Sequence, residues 1–596
     1  MKRFTLKPLA LAVGLALVGP ASAVTLDFGG SNIYMKFLDG DRRVVSKDSG
    51  DTASGADNGQ WTEFELRIKA TISPQVEAGV RLQSRSPAAY WTNFGFANNE
   101  GFSGATPGDI KTTQSKFVKL RGAYVLLTPG YNWLNTALIG SSDWGYFDPF
   151  TVGKVRYIDR DNYNGLYFKG PTYGGGSWEA ARVSLPNYLQ SNYGQGSTCC
   201  NSDDTQFNEA VYIGQFKMPI GPVKLTASYQ QFNDHEKDPL DTNPADGSNR
   251  KTFSKNRVAA LKADFSPFDG IDMKGAYYRS SYITTGVFDQ PWINSPKSSI
   301  GDRAYKLDVD FSNLPVPGLS LNAQYFNIGA GYYSNAAARR ESDVLLTEGS
   351  ESAWYNYGQN IWLGGAAKDF QQSASTPKGG VNKPSANGLT DNDFIDFDEA
   401  PAESVLGWKG FTLLANYEVF KTPMSLEFTT IGYNNNWQGY SPTGPLSNFY
   451  ALNSDRKTNI IAFKASHVFP VLGGLETSVK VKRVIDKDKG DQSTLVASSD
   501  DRETKDTGYT LAVGNQVFGD LYASLSYGKY KRDVKVGAVN FDNNKDIWSL
   551  RTSYNLSGLE IGALAQWIKG SGDPTQAGTE IDFKQYRLKA FVKAIF

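Results

Sequence analysis

From Thr62 to Ile72 the chain alternates without a break, with Phe64, Leu66, Ile68, Ala70 and Ile72 set between Glu63, Glu65, Arg67, Lys69 and Thr71. Successive side chains of an extended backbone point to opposite faces, so this stretch has one apolar face and one ionic face. After Ser73-Pro74-Gln75 the pattern resumes, with Val76, Ala78, Val80 and Leu82 set against Glu77, Arg81, Gln83 and Arg85. Two such runs around a short turn form a β-hairpin. Length then separates two classes of sheet. Strands of soluble domains average about five or six residues, whereas a tilted strand crossing a bilayer needs about nine to eleven. These runs are of the longer kind.

Comparable segments begin near Ile33, Lys116, Leu134, Asn162, Ser177, Gln206, Val223, Arg257, Ile271, Arg303, Leu319, Phe411, Met424, Asn459, Leu475, Thr507, Leu521, Ile547, Leu559 and Gln585. With the first hairpin they predict an all-β chain, an antiparallel transmembrane barrel of about 22 strands, within a range of roughly 18 to 24. Connections alternate in length. Short turns such as Thr128-Pro129-Gly130 and Pro219-Ile220-Gly221 rotate with long polar loops, the rhythm of barrels with short periplasmic turns and long extracellular loops. The longest loop runs from Gly329 to about Lys409 and carries the acidic cluster Asp391, Asp393, Asp396, Asp398 and Glu399. It either folds inward and narrows the lumen or caps the barrel outside.

The N-terminus has Lys2, Arg3 and Lys7, an apolar run from Leu9 to Val18, and then Ala21-Ser22-Ala23. This predicts a secretory signal peptide over residues 1–23, cleaved after Ala23, with the barrel occupying 24–596. No stretch of eighteen apolar residues follows, and the mean hydropathy of −0.41 excludes a helical membrane protein. Only a closed barrel can then span a bilayer, because every backbone polar group must be paired within the protein. The 32 Tyr, 12 Trp and 60 Gly suit aromatic girdles and tight turns. A formal net charge of zero gives no pull toward nucleic acid.

If the apolar positions face lipid, the alternate positions line a lumen. The basic residues expected there include Arg67, Lys69, Arg81, Arg85, Lys119, Arg121, Lys480, Lys482, Arg551, Arg587 and Lys589. Basic side chains outnumber acidic ones on this face, and rings of Lys and Arg favour anionic permeants. The competing expectation is that wall charges pair across strands, as Glu63 and Glu65 can with Arg81 and Arg85. Catalytic and metal chemistry have little to work with. There are two histidines, His235 and His467, and Ser466 beside His467 points to the opposite face. Cys199 and Cys200 are adjacent and form no metal-binding motif. No cofactor is predicted. Tyr332, Tyr333, Trp354, Tyr355, Tyr357 and Trp362 could stack on sugar rings or simply pack the loop.

The final segment, Gln585 to Phe596, places Tyr586, Leu588, Ala590, Val592, Ala594 and Phe596 on one face. It resembles the C-terminal signal of Gram-negative outer-membrane porins, which implies recognition by the barrel-assembly machinery and residence in the cell outer membrane among its lipids. Leu138-Ile139-Gly140-Ser141-Ser142-Asp143-Trp144, with Phe147-Asp148 and Gly165 to Gly170, is similar to the alginate-export porin family, although Asn132-Trp133-Leu134-Asn135 lacks that family's upstream Arg. That resemblance implies an oligosaccharide conduit with a basic lumen. The expected activity is passive diffusion of small hydrophilic solutes, carbohydrates or ions among them, by a protein that is not an enzyme. The alternative is a barrel that sheathes or scaffolds a periplasmic partner such as an electron-transfer protein. Association into a homo-oligomer is left open.

Overall fold

The computed structural model describes residues 24–50, 52–56, 59–86, 118–142, 144–148, 150–151, 163–185, 209–234, 253–285, 297–329, 332, 408–434, 457–488, 501–572 and 580–596. Residues 1–23, expected to be a signal peptide, and Cys199, Cys200, His235 and the acidic cluster around Asp396 lie outside the described residues.

One antiparallel sheet contains 25 extended segments. Three pairs of these are halves of single strands. Thr25–Asp27 and Asn32–Ser46 lie in line beside Gly59–Ser73, offset by the irregular backbone at residues 28–31. Thr52–Ala56 and Gly59–Ser73 share one register on Asn32–Ser46. Lys297–Ile300 and Arg303–Phe311 share one register on Ile271–Thr285. The remainder is a closed ring of 22 strands, each paired with its neighbours in sequence, and Asn32–Ser46 pairs with Ile581–Ile595 to complete it. Thr25 and Ile595 lie at the end of the barrel where the connections are short.

Every strand expected from the alternation is present. The systematic difference is at the long-loop end, where strands run several residues further than their apolar pattern. The strand expected near Ile547 begins at Val539 and runs 18 residues to Leu556, and the one expected near Thr507 begins at Arg502. These extensions are largely polar, Val539 and Phe541 excepted, so they carry too little alternation to read. The strand Trp408–Val419 already includes Lys409, where the sequence pattern puts the end of the long loop.

The two faces of the ring differ in kind. Exposed large apolar side chains, among them Phe37, Ile139, Leu261, Leu413, Ile461, Leu511, Leu550 and Ile561, stand on the outer face. On the inner face the buried side chains include Glu65, Glu179, Gln230, Asn256, Thr412, Glu427, Lys482 and Lys545. A water-soluble sheet protein has the reverse arrangement.

Candidate functional site: the inner wall and the segment that crosses it

The described charges on the inner wall of the first hairpin are paired. Glu65 is 1% exposed and accepts two hydrogen bonds from Arg81, Nε at 2.9 Å and Nη2 at 3.0 Å, and one from Arg67 Nε at 2.5 Å. Lys69 Nζ sits 2.8 Å from Glu77, which also accepts the Tyr124 hydroxyl at 2.7 Å. The Tyr124 ring reaches Glu77 by lying flat over Gly79, where a Cβ would come within 2.2 Å of it. The same device recurs across the barrel, where Tyr522 crosses Gly514 to donate to Glu476 at 2.8 Å. Aromatic rings laid on glycine keep the wall thin and its hydroxyls aimed along it.

Arg67, Lys69, Arg81, Lys480, Lys482, Arg551, Arg587 and Lys589 all occupy inner-face positions by strand register. The side chains of Arg85, Lys119 and Arg121 lie outside the described residues. Their backbone positions correct one expectation. Gly122 opposes Arg81 and Leu120 opposes Leu82, which leaves Arg121 as the extra residue of a β-bulge. Lys119 opposes Gln83 on the inner-face register, so Lys119 and Arg121 are not two members of one alternating row.

Around the ring the charges segregate. On the strands from Lys457–Phe469 to Ile581–Ile595, the described inner-face side chains in the body of the wall are Lys464, Lys480, Lys482, Lys545, Arg551, Arg587, Lys589 and Lys593, against Glu476 and Glu560. Lys464 and Lys480 are direct cross-strand partners. The opposite arc mixes both signs: Lys217 binds Glu179 at 2.9 Å, Lys274 lies 3.8 Å from Asp310, and Gln324 donates to Asp308 at 2.6 Å.

The segment Trp144–Thr151 is the main departure from an open ring. It follows the strand Thr136–Ser142, the fifth of the ring, yet it touches strands ten to twelve. Only a path through the interior connects these. Trp144 is fully buried, its ring seated on Gly165, where a Cβ would meet it at 2.6 Å. Gly140 pairs directly with Gly165 and has its own reason to be glycine, a positive φ and a Cβ position that would fall 2.2 Å from the Ala123 carbonyl oxygen. Asp148 anchors the far end. Its carboxylate receives Lys262 Nζ at 2.6 Å and the Tyr278 hydroxyl at 3.1 and 3.2 Å, and it also accepts the Phe150 amide at 2.8 Å. Phe150 stacks on Tyr332 at 5.3 Å and lies under Lys306 Nζ at 5.1 Å, while Tyr332 donates its hydroxyl to the Phe150 carbonyl at 3.0 Å. Tyr332 is therefore a packing residue rather than part of an open sugar track. Tyr332 itself lies inside the ring, against Phe150 and Tyr278. Tyr333, Trp354, Tyr355, Tyr357 and Trp362 lie outside the described residues.

Sequence reasoning singled out Leu138 to Trp144 and Asp148 as a motif but did not assign the inward path. It missed Lys262, Tyr278 and Lys306 as its anchors, since nothing local marks residues more than a hundred positions away. His467 stands on the outer face, its Nδ1 2.6 Å from the Thr422 hydroxyl and its ring against Phe469, with Ser466 on the opposite face.

No protein-family profile matches the chain, and no curated protein matches it. The alginate-export resemblance therefore extends no further than its short motif. Among solved structures, Pseudomonas aeruginosa OpdO aligns over 95% of this chain and 98% of its own, with 10% identity and a TM-score of 0.28. A BenF-like porin from Pseudomonas fluorescens Pf-5 aligns over 97% and 100%, with 10% identity and a TM-score of 0.33. The copper transporter OprC aligns over 95% and 81%, with 10% identity and a TM-score of 0.42.

Proposed function

We propose that this protein is an outer-membrane porin through which small hydrophilic solutes diffuse passively, with a preference for anions. The observation that carries the reading is the inversion of the ring, apolar outside and ionic inside. An exposed apolar outer face of this extent is stable only in lipid, and a closed sheet leaves no backbone group unpaired there. The polar interior supports water filling, since buried charges of this number need solvent or partners. The basic arc supports anion preference, because Lys and Arg rows raise the local anion concentration and the mixed arc opposite offers no comparable cation path. Arg67 and Arg81 share the Glu65 carboxylate, and the support for anion preference comes from the excess of basic over acidic side chains along the arc as a whole. The segment Trp144–Thr151 narrows the passage and sets the solute size. Residues 1–23 supply the export signal.

Reconstitution of the mature protein in a planar bilayer tests this. The expected result is a persistent open conductance, with a reversal potential in a potassium chloride gradient on the chloride side. A bilayer that stays sealed after insertion overturns the porin reading, and cation selectivity overturns the anion preference.

A further inference from the structure

Outside the lumen, the strands that approach the seam carry three stacked rows on the outer face, each row a chain of direct cross-strand partners. The first is aliphatic: Leu525, Leu550, Ala565 and Leu588. Two residues further toward the long-loop end, about 7 Å along the strand, comes Tyr527, Trp548, Trp567 and Tyr586. These rings touch, with centroids 4.7 Å apart for Tyr527 and Trp548 and 5.8 Å for Trp567 and Tyr586. Two residues further again the row reads Lys529, Asp546, Lys569, Lys584 and Arg43. On the strand Asn32–Ser46 the first two rows end in Asp39 and Asp41, which marks their edge.

The cationic row is not balanced from within. Asp546 is engaged from below by the Tyr527 hydroxyl at 2.6 Å. Lys529, Lys569, Lys584 and Arg43 are exposed, and among the described residues none has a carboxylate within 4.0 Å. Lys569 faces Lys584, and Lys584 faces Arg43, so like charges stand directly opposite across two ladders, an arrangement that destabilises a sheet unless an anion lies between them. Further up the same part of the barrel the outer lysines do have such partners: Lys487 and Lys505 flank Glu503 at 3.1 and 3.2 Å, and Lys531 meets Asp533 at 2.8 Å.

We infer that this row binds the phosphate-bearing headgroup of a lipid in the surrounding leaflet. This rests on the membrane-spanning reading above. Aliphatic, aromatic and cationic rows in that order match the acyl chain, interface and phosphate of one lipid lying along the wall, since Trp and Tyr sit at headgroup depth. The lysines act as point charges, and the Arg43 guanidinium offers a fork for two phosphate oxygens. The row is continuous with the lipid-facing band, so its anion arrives already held in the bilayer.

The test is native mass spectrometry of the full-length mature protein in detergent with bis-phosphorylated lipid A as probe. A retained lipid adduct is expected, weakened at least tenfold in the triple variant R43Q/K569Q/K584Q and unchanged in K531Q, whose lysine is already paired. Dephosphorylated lipid A is expected to bind the native protein no better than the triple variant binds the phosphorylated form, and equimolar inorganic phosphate is expected not to displace the adduct. Equal retention by the triple variant, equal binding of the dephosphorylated lipid, or displacement by inorganic phosphate each overturns the inference. Unchanged conductance of the variant in a planar bilayer shows that it is folded, and K584Q alone serves if the triple variant does not fold. Failure of the native protein to insert would count against the membrane reading, whereas insertion with row-independent binding counts against the lipid site alone.

Discussion

Glu65 is buried in the wall and bound by Arg81 through two nitrogens and by Arg67 through a third. Replacing it with Gln keeps its shape but leaves two guanidinium groups facing each other across one ladder. Breaking a wholly buried pair costs about 3–5 kcal/mol. Arg67 is half exposed to water, so Glu65→Gln is expected to cost roughly 2 kcal/mol, read as a lower urea midpoint for unfolding, with an increase in anion selectivity. A fall in selectivity would contradict this. The pairing was legible in the sequence because alternation and a three-residue turn put Glu65 and Arg81 on one face of one hairpin. The status of Arg121 was not legible. A β-bulge changes the parity of a strand without changing its composition, and only the partner strand reveals it.

Among the elements, Trp144–Thr151 shows what a linear pattern can and cannot announce. Its beginning is written locally: Gly165 makes the seat that Trp144 fills, and both residues belong to the motif that stands out in the sequence. Its end is held by Lys262, Tyr278 and Lys306, which come from strands contributed much later in the chain and read in sequence as ordinary lumen positions. Asp148 is the joint between the two. Asp148→Ala removes the Lys262 ion pair and the Tyr278 hydrogen bonds while leaving the Trp144 seat intact. The expected result in single-channel recordings is a larger and noisier conductance as the far end of the segment leaves the wall; an unchanged conductance would mean that the segment does not bound the passage. The strands themselves were legible wherever one face is continuously apolar. Beyond that band, as at Val539 to Asp546, only Val539 and Phe541 are apolar and the backbone ladder defines the element.

For the molecule as a whole, zero net charge conceals an uneven interior. The basic arc lies on the last third of the ring, so in the proposed channel its effect on permeation is collective and no one lysine decides it. Neutralising Lys480, Arg587 and Lys589 together to Gln is expected to lower the anion-to-cation permeability ratio by roughly two- to threefold, with conductance little changed, since charge rings act on ion concentration more than on bore. A ratio that does not move would place selectivity elsewhere, in the mixed arc or the loops. The seam between Asn32–Ser46 and Ile581–Ile595 has a consequence for time rather than for selectivity. Every other ladder joins strands that are neighbours in sequence, so each can form as soon as its two strands exist. The seam joins the two ends of the chain and can form only when all other strands are in place, so its loop-closure entropy is met last. Until then the sheet keeps two bare edges able to recruit strands from other chains, and the lifetime of that open sheet, set by one slow pairing, is the interval in which the chain is most exposed to aggregation.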